Sequence, residues 1–167
     1  MTDEFAHEEH THGGATGERP RVLLVAIDFS SLSRRGLAWA LDYARHVPCH
    51  LHTVHVVERR WRIADLRADL DALRGELVDV HDAAVAELAP LVTEGDRVHV
   101  GSLHEHVALG SPADEIVALA GELGADLIVV GNHGGDAMHR LLTGSVAAKV
   151  VRDAPCPVVV VKPPKEA

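Results

Sequence analysis

The chain is poor in aromatic side chains, which make up 3% of its 167 residues, and it has only two cysteines, Cys49 and Cys156. Two thiols cannot staple a disulfide scaffold, and so few of them point to a reducing, cytoplasmic setting. No apolar run approaches the roughly 18 residues that cross a bilayer. The opening MTDEFAHEEH is acidic and has no apolar centre, so no secretory signal is expected there. Basic residues are outnumbered, 16 Lys and Arg against 25 Asp and Glu, leaving a net charge of −9 with His neutral. A surface of that sign repels phosphate backbones and anionic headgroups, which argues against nonspecific binding of nucleic acid or membranes. What the chain does have is aliphatic bulk. Hydrophobic residues reach 47%, so a sizeable core of Val, Leu, Ile and Ala is expected within one ordinary domain.

The pattern along the chain divides it unevenly. Residues 1–20 carry charge, Gly, Thr and His with Phe5 as the one large apolar side chain. Such a segment cannot bury enough surface to offset its ordering entropy, and it reads as a flexible arm. From Arg21 onward apolar runs alternate with helical periodicity, giving a domain over 21–163 and a short tail over 164–167. Strands are expected at Val22–Ile27, Leu51–Val57, Val98–Leu103, Leu127–Val130 and Val158–Val161. Helices are expected at Ser30–Val47, along the stripe Leu66, Leu70, Leu73, Leu77, Val80, Ala84, Leu88 and Leu91, from Ser111 to Gly124, and at Gly144–Val151. Five strands alternating with four helices imply helical crossovers, hence a doubly wound α/β fold on a parallel sheet.

Two features fall where such a sheet places ligands, just beyond the carboxyl ends of strands. One is Asp28, in Val-Ala-Ile-Asp-Phe-Ser. The other is the stretch from Gly131 through Asn132, His133 and Gly134 to Gly144 and Ser145. Bare backbone at Gly131 and Gly134 lets a ligand come close. A helix opening at Gly144-Ser145 presents unpaired N–H groups and a positive dipole end, which suits an anion. The loop is neither a Walker loop nor GxGxxG, since no Lys-Ser or Lys-Thr follows its glycines.

Gly131 and Gly134 enclose two residues, Gly134 and Gly144 enclose nine, and Ser145 follows. This spacing resembles the nucleotide-binding kind of universal stress protein, and the likeness runs from about Arg21 to Val161. It extends to Asp28, to the His55-Val56 pair and to the Ala-Pro-Cys-Pro-Val approach to the last strand. The resemblance implies a sheet of order 3-2-1-4-5 with a crevice between strands one and four, where Asp28 and Gly131 would meet. It implies that Val56 offers its backbone to adenine and that Asp28 lies by the ribose, the phosphates or a Mg²⁺. It implies that Gly131, Gly134, Gly144 and Ser145 hold ribose and phosphates, with Val146 adding a backbone N–H; Asn132 and His133, inside the same loop, are expected to join them, His133 as a donor. The expected ligand is ATP or another adenine nucleotide, and the expected assembly is a homodimer through the last strand. The function so implied is a regulatory binding module in stress survival.

Other side chains read more plainly. Of thirteen histidines, His7, His10 and His12 fall in the arm. His50 with His52, and His104 with His106, each share one face of a strand. None makes the His-Glu-x-x-His pattern, so they read as solvated or packed rather than as metal ligands. Cys49 and Cys156 each adjoin a proline and read as structural thiols. No GxSxG elbow and no general base near the loop can be identified, so no catalytic residue is assigned. A slow ATPase or a nucleotidyl-transfer enzyme in the same pocket stays open, as does a nucleotide-independent interaction protein.

The chain departs from the family pattern at Gly135 and Asp136, where a basic residue and then small residues are usual. A carboxylate near phosphates with no cation beside it disfavours the outer phosphates. Gly135→Arg should therefore tighten ATP more than AMP, by about fivefold, with Asp136→Asn acting the same way more weakly. Both gains should shrink in high salt. Calorimetry with the two nucleotides checks this.

Overall fold

The structure, a computed structural model, describes residues 21–58, 70–132 and 145–164. Five parallel strands, β1 (Arg21–Ala26), β2 (Cys49–Val57), β3 (Ser102–Leu109), β4 (Leu127–Gly131) and β5 (Val158–Val161), form one sheet of order β3-β2-β1-β4-β5. The helices are α1 (Ser31–Ala44), α2 (Leu70–Leu88), α3 (Glu94–Arg97), α4 (Pro112–Leu123) and α5 (Ser145–Asp153). The sheet order matches the one the resemblance implied. The order of elements reverses direction between β1 and β4, and this opens a crevice at their carboxyl ends.

Each helix begins or ends for a local reason. Ser30 caps α1, its Oγ accepting from the Ser33 N–H at 3.2 Å. Pro112 stands in the first turn of α4, and Gly124 closes that helix at φ 59, a left-handed conformation that costs glycine least. Pro90 stops α2, and the chain passes through a short 3-10 turn at Ala89–Leu91. The second crossover then adds what its apolar pattern did not announce: α3 is held by a capping box between Thr93 and Asp96. The third strand consequently lies later than expected. Val98 caps the end of α3, and β3 begins only at Ser102. Four helices of two turns or more stand as expected among the described residues, with α3 as a single extra turn. Leu66 and the arm lie outside the described residues.

Both faces of the sheet are covered, so the central strands read as continuous aliphatic runs. On one face Leu23, Val25, Ile27, Leu51 and Val129 pack with Leu37, Ala40 and Ala44 of α1 and Leu88 of α2. On the other, Leu24, Val54, Ile128 and Val130 pack with Ala113, Ile116 and Ala120 of α4 and Ala147 and Val150 of α5. Fully burying each large aliphatic side chain contributes about 1.5–3 kcal/mol, which lets a core with almost no aromatics suffice. Cys49 is buried inside the first cluster and both cysteines are free thiols. Burial pushes the Cys49 thiol up, and burial with the nearby Asp126 carboxylate does the same for Cys156. Raised thiols are poor nucleophiles.

The upstream ends of β2 and β3 are different. The register sets His52 opposite His104 and His50 opposite Ser102. His52 Nδ1 lies 2.9 Å from His106 Nε2, the two rings nearly parallel with centroids 5.2 Å apart, and the His52 ring is stacked on that of His104 at 4.8 Å. Burial, and then the neighbouring His106, His104 and His50, hold His52 down at about 4; burial and His104 lower His106 as well. The unfolded chain takes up a proton near pH 6.5 that folded His52 refuses until about pH 4. The stability this neutral form contributes is therefore complete above pH 6.5 and lost as pH falls toward 4. Urea midpoints should drop across that window, and His52→Gln should flatten the drop.

Candidate functional site

The crevice is built where β1 ends. Ile27 makes the last backbone bond to β2, its N–H donating to the Val54 carbonyl at 2.8 Å. The His55 ring then takes over: Nδ1–H donates to the Ile27 carbonyl at 2.8 Å. A carbonyl only accepts, so a proton sits on Nδ1. Phe29 turns the chain away at φ 61, a left-handed backbone unusual for any residue but glycine. Its ring lies 4.6 Å from that of His55, and Arg34 Nε donates to its carbonyl at 3.2 Å. These contacts hold a conformation that the side chain alone disfavours.

Asp28 stands at this turn with its carboxylate exposed. Oδ1 accepts from the Ser30 N–H at 3.0 Å, an Asx turn that leads directly into the cap of α1. Partial burial alone would raise its pKa. The hydroxyls of Ser30 and Ser33 and the backbone N–H groups outweigh that and hold the carboxyl below its ordinary range. Asp28 is thus ionised at neutral pH and presented at the crevice mouth. Ser33 is buried, and its Oγ donates to the Ser30 carbonyl at 3.1 Å.

Val56 lies one residue beyond His55, packed against the second core cluster. In a parallel ladder, alternate residues point both backbone groups to the same neighbour. Val54 points to β1, so the N–H and C=O of Val56 face the space that β1 vacates at Asp28. Gly131 closes the opposite wall. A Cβ there would stand 3.2 Å from Leu32 Cβ and 3.4 Å from the Ser33 nitrogen, so the missing side chain lets the start of α1 approach β4. Asn132 follows, its N–H bonded to the Val161 carbonyl at 2.9 Å. Ser145 heads α5, and Val146 packs into the second cluster. His133, Gly134 and Gly144 lie outside the described residues, as do Gly135, Asp136 and the Ser145 side chain.

The fold therefore gathers Asp28, Ser30, Ser33 and Gly131 about the start of α1, while the Val56 peptide faces the gap at the end of β1. Two features escaped the sequence reading. His55 was noted only as part of the His55-Val56 pair, and its misfit as a polar residue among Val and Thr was the available signal for its bond to Ile27. Ser33 was hidden by looking like any helical serine. Among the described residues no three His, Cys, Asp or Glu side chains are already arranged around a metal, and no helix is long and apolar enough to cross a membrane.

The model of the universal stress protein family matches residues 20–162, and the chain belongs to that family. Universal stress protein MJ0531 of Methanocaldococcus jannaschii is 30% identical over 148 residues, covering 87% of this chain and 84% of that protein. The structure of the universal stress protein UspA from Lactobacillus plantarum superposes with a TM-score of 0.70 at 26% identity, covering 86% of this chain and 98% of the other. A universal stress protein from Archaeoglobus fulgidus, solved in complex with dAMP, gives a TM-score of 0.54 at 25% identity, with 86% and 98% covered.

The close approach at Gly131 yields a test. Gly131→Ala should push the first turn of α1 away from β4 and lower stability by about 1 kcal/mol, the smaller end of overpacking costs. Urea denaturation reads the loss directly.

Proposed function

We propose that this chain is a regulatory module that binds an adenine nucleotide of the ATP type in the β1/β4 crevice. The observation that carries the reading is the juxtaposition at the end of β1: peptide groups of Val56 face an opening whose rim holds the ionised Asp28. A peptide N–H and C=O side by side complement the donor and acceptor edge of adenine. A carboxylate at the rim accepts from ribose hydroxyls or faces a Mg²⁺ that travels with the phosphates. Gly131, Asn132, His133, Gly134, Gly144, Ser145 and Val146 are proposed to line the ribose and phosphates. The start of α5 supplies N–H groups and a positive dipole end for them. The dAMP complex of the Archaeoglobus fulgidus relative supports the adenine part of this reading.

The self-association we propose runs through β5. Among the described residues it pairs with β4 alone, and its four valines are partly exposed. An apolar edge of that kind is covered or paired in stable proteins. Residues 21–163 are proposed as the binding domain, with 1–20 as an appended arm and 164–167 as a tail.

The purified chain, denatured and analysed by mass spectrometry, should release an adenine nucleotide. Gly144→Val, which fills the anion space at the helix start, should abolish calorimetric binding of ATP while circular dichroism stays native. Wild-type affinity in that variant would overturn the assigned cradle.

A further inference from the structure

The described residues hold a second constellation that nucleotide binding does not use. His50, His52, His104 and His106 share the sheet face that α4 and α5 cover further downstream, where Leu24, Val54 and Ala108 pack against those helices. At the upstream ends of β2 and β3 the aliphatic side chains of this face give way to histidines. His50, His52 and His106 are half-buried there and His104 is exposed. Glu105 alternates to the opposite face, where it meets Arg97 at 3.7 Å. Four imidazoles are thus collected on a solvent-reachable sheet surface. Ser102 bridges two of them, with Oγ 2.7 Å from His50 Nδ1 and 3.0 Å from His104 Nε2. The other two face each other directly, His52 Nδ1 to His106 Nε2 at 2.9 Å.

We propose that His52 and His106 form a cross-strand chelate for a divalent transition-metal ion such as zinc. Imidazole nitrogens bind zinc at about 2.0–2.1 Å, so two cis ligands stand about 3 Å apart or slightly more. The pair needs to open by only a few tenths of an ångström. Proton bookkeeping also permits it. One of the facing nitrogens carries a hydrogen in the present bond, and that hydrogen moves to the far nitrogen of the same ring. Both facing nitrogens then carry lone pairs with no net proton lost, and the two converge on one ion once each ring tilts by roughly 35° off the N···N line, as a tetrahedral centre requires. Neutral imidazoles without a carboxylate favour zinc, copper or nickel over magnesium or calcium. Two protein ligands leave the remaining positions to water. The site is therefore an exchangeable one of modest affinity, in keeping with the lack of a three-ligand set.

The test uses the full chain, freed of metal with a chelator and titrated with Zn²⁺ by calorimetry, and with Co²⁺ by absorption. One ion per chain should bind at micromolar concentration, and excess Mg²⁺ should not compete. His52→Gln and His106→Gln should each weaken Zn²⁺ by about tenfold or more. If His52→Gln fails to fold, His106→Gln on the edge strand carries the same test. A variant with His7, His10 and His12 all changed to Gln should bind as the wild type does, which separates this site from the arm. ATP affinity should be unchanged in every variant. The proposal is overturned if the arm variant alone loses Zn²⁺, if Mg²⁺ displaces it, or if the wild type binds none.

Discussion

The crevice depends on how closely α1 can start against the sheet. Its first turn must pass the end of β4, and only the bare backbone of Gly131 leaves that room beside Leu32 and Ser33. Further along the same helix, Gly36 comes within contact of Val129, where a Cβ would stand 3.3 Å from its Cγ1. The helix is seated by these two glycines, and the turn that feeds it is then constrained. Phe29 takes a left-handed backbone, Asp28 folds back onto the Ser30 N–H, and Ser30 caps the helix. One steric condition thus sets the position of the carboxylate.

The same end of the sheet shows how a side chain can stand in for a missing strand. Once β1 leaves, the Ile27 carbonyl has no β2 peptide to accept from, and His55 donates to it instead. That bond fixes the ring, and the ring holds Phe29 at 4.6 Å. Leaving a buried carbonyl unpaired would cost about 1–3 kcal/mol. His55 is therefore a structural part of the crevice wall rather than an accident of composition. Its bond also leaves the adjoining Val56 peptide free to face the opening.

Much of this was legible before any coordinates. Aliphatic runs marked β1, β4 and β5 because both sheet faces are covered there, and β2 was marked by its Val and Thr despite three histidines. Asp28 and Gly131 were legible as strand-end residues, and the parallel topology brings those ends together. The boundaries of β3 were not legible. Val98 and Val100 look like strand residues, but the capping box at Thr93 and Asp96 wins the preceding segment for a turn of helix. The strand could begin only after it. The histidine cluster was half legible. Spacing put His50 with His52 and His104 with His106 on strand faces, but only the register between β2 and β3 brings the two pairs onto each other. Sequence separation hides such cross-strand neighbours completely.

Electrostatics then explains why the two constellations differ in kind. In a chain of net charge −9, a phosphate ligand cannot rely on overall attraction. In the proposed nucleotide site it would be held by local dipoles: the peptide groups of strand ends and the start of α5, with any Mg²⁺ brought by the nucleotide itself. A cation experiences the reverse. The acidic surface draws it in, and neutral imidazoles offer lone pairs without the desolvation cost of buried carboxylates. Within the cluster on β2 and β3, His52 and His106 are held neutral first by burial and then by their histidine neighbours. Crowding four histidines on one half-covered face therefore does two things at once. It should make the fold sensitive to acid, and it keeps His52 and His106 unprotonated at neutral pH, which is the form that binds a metal.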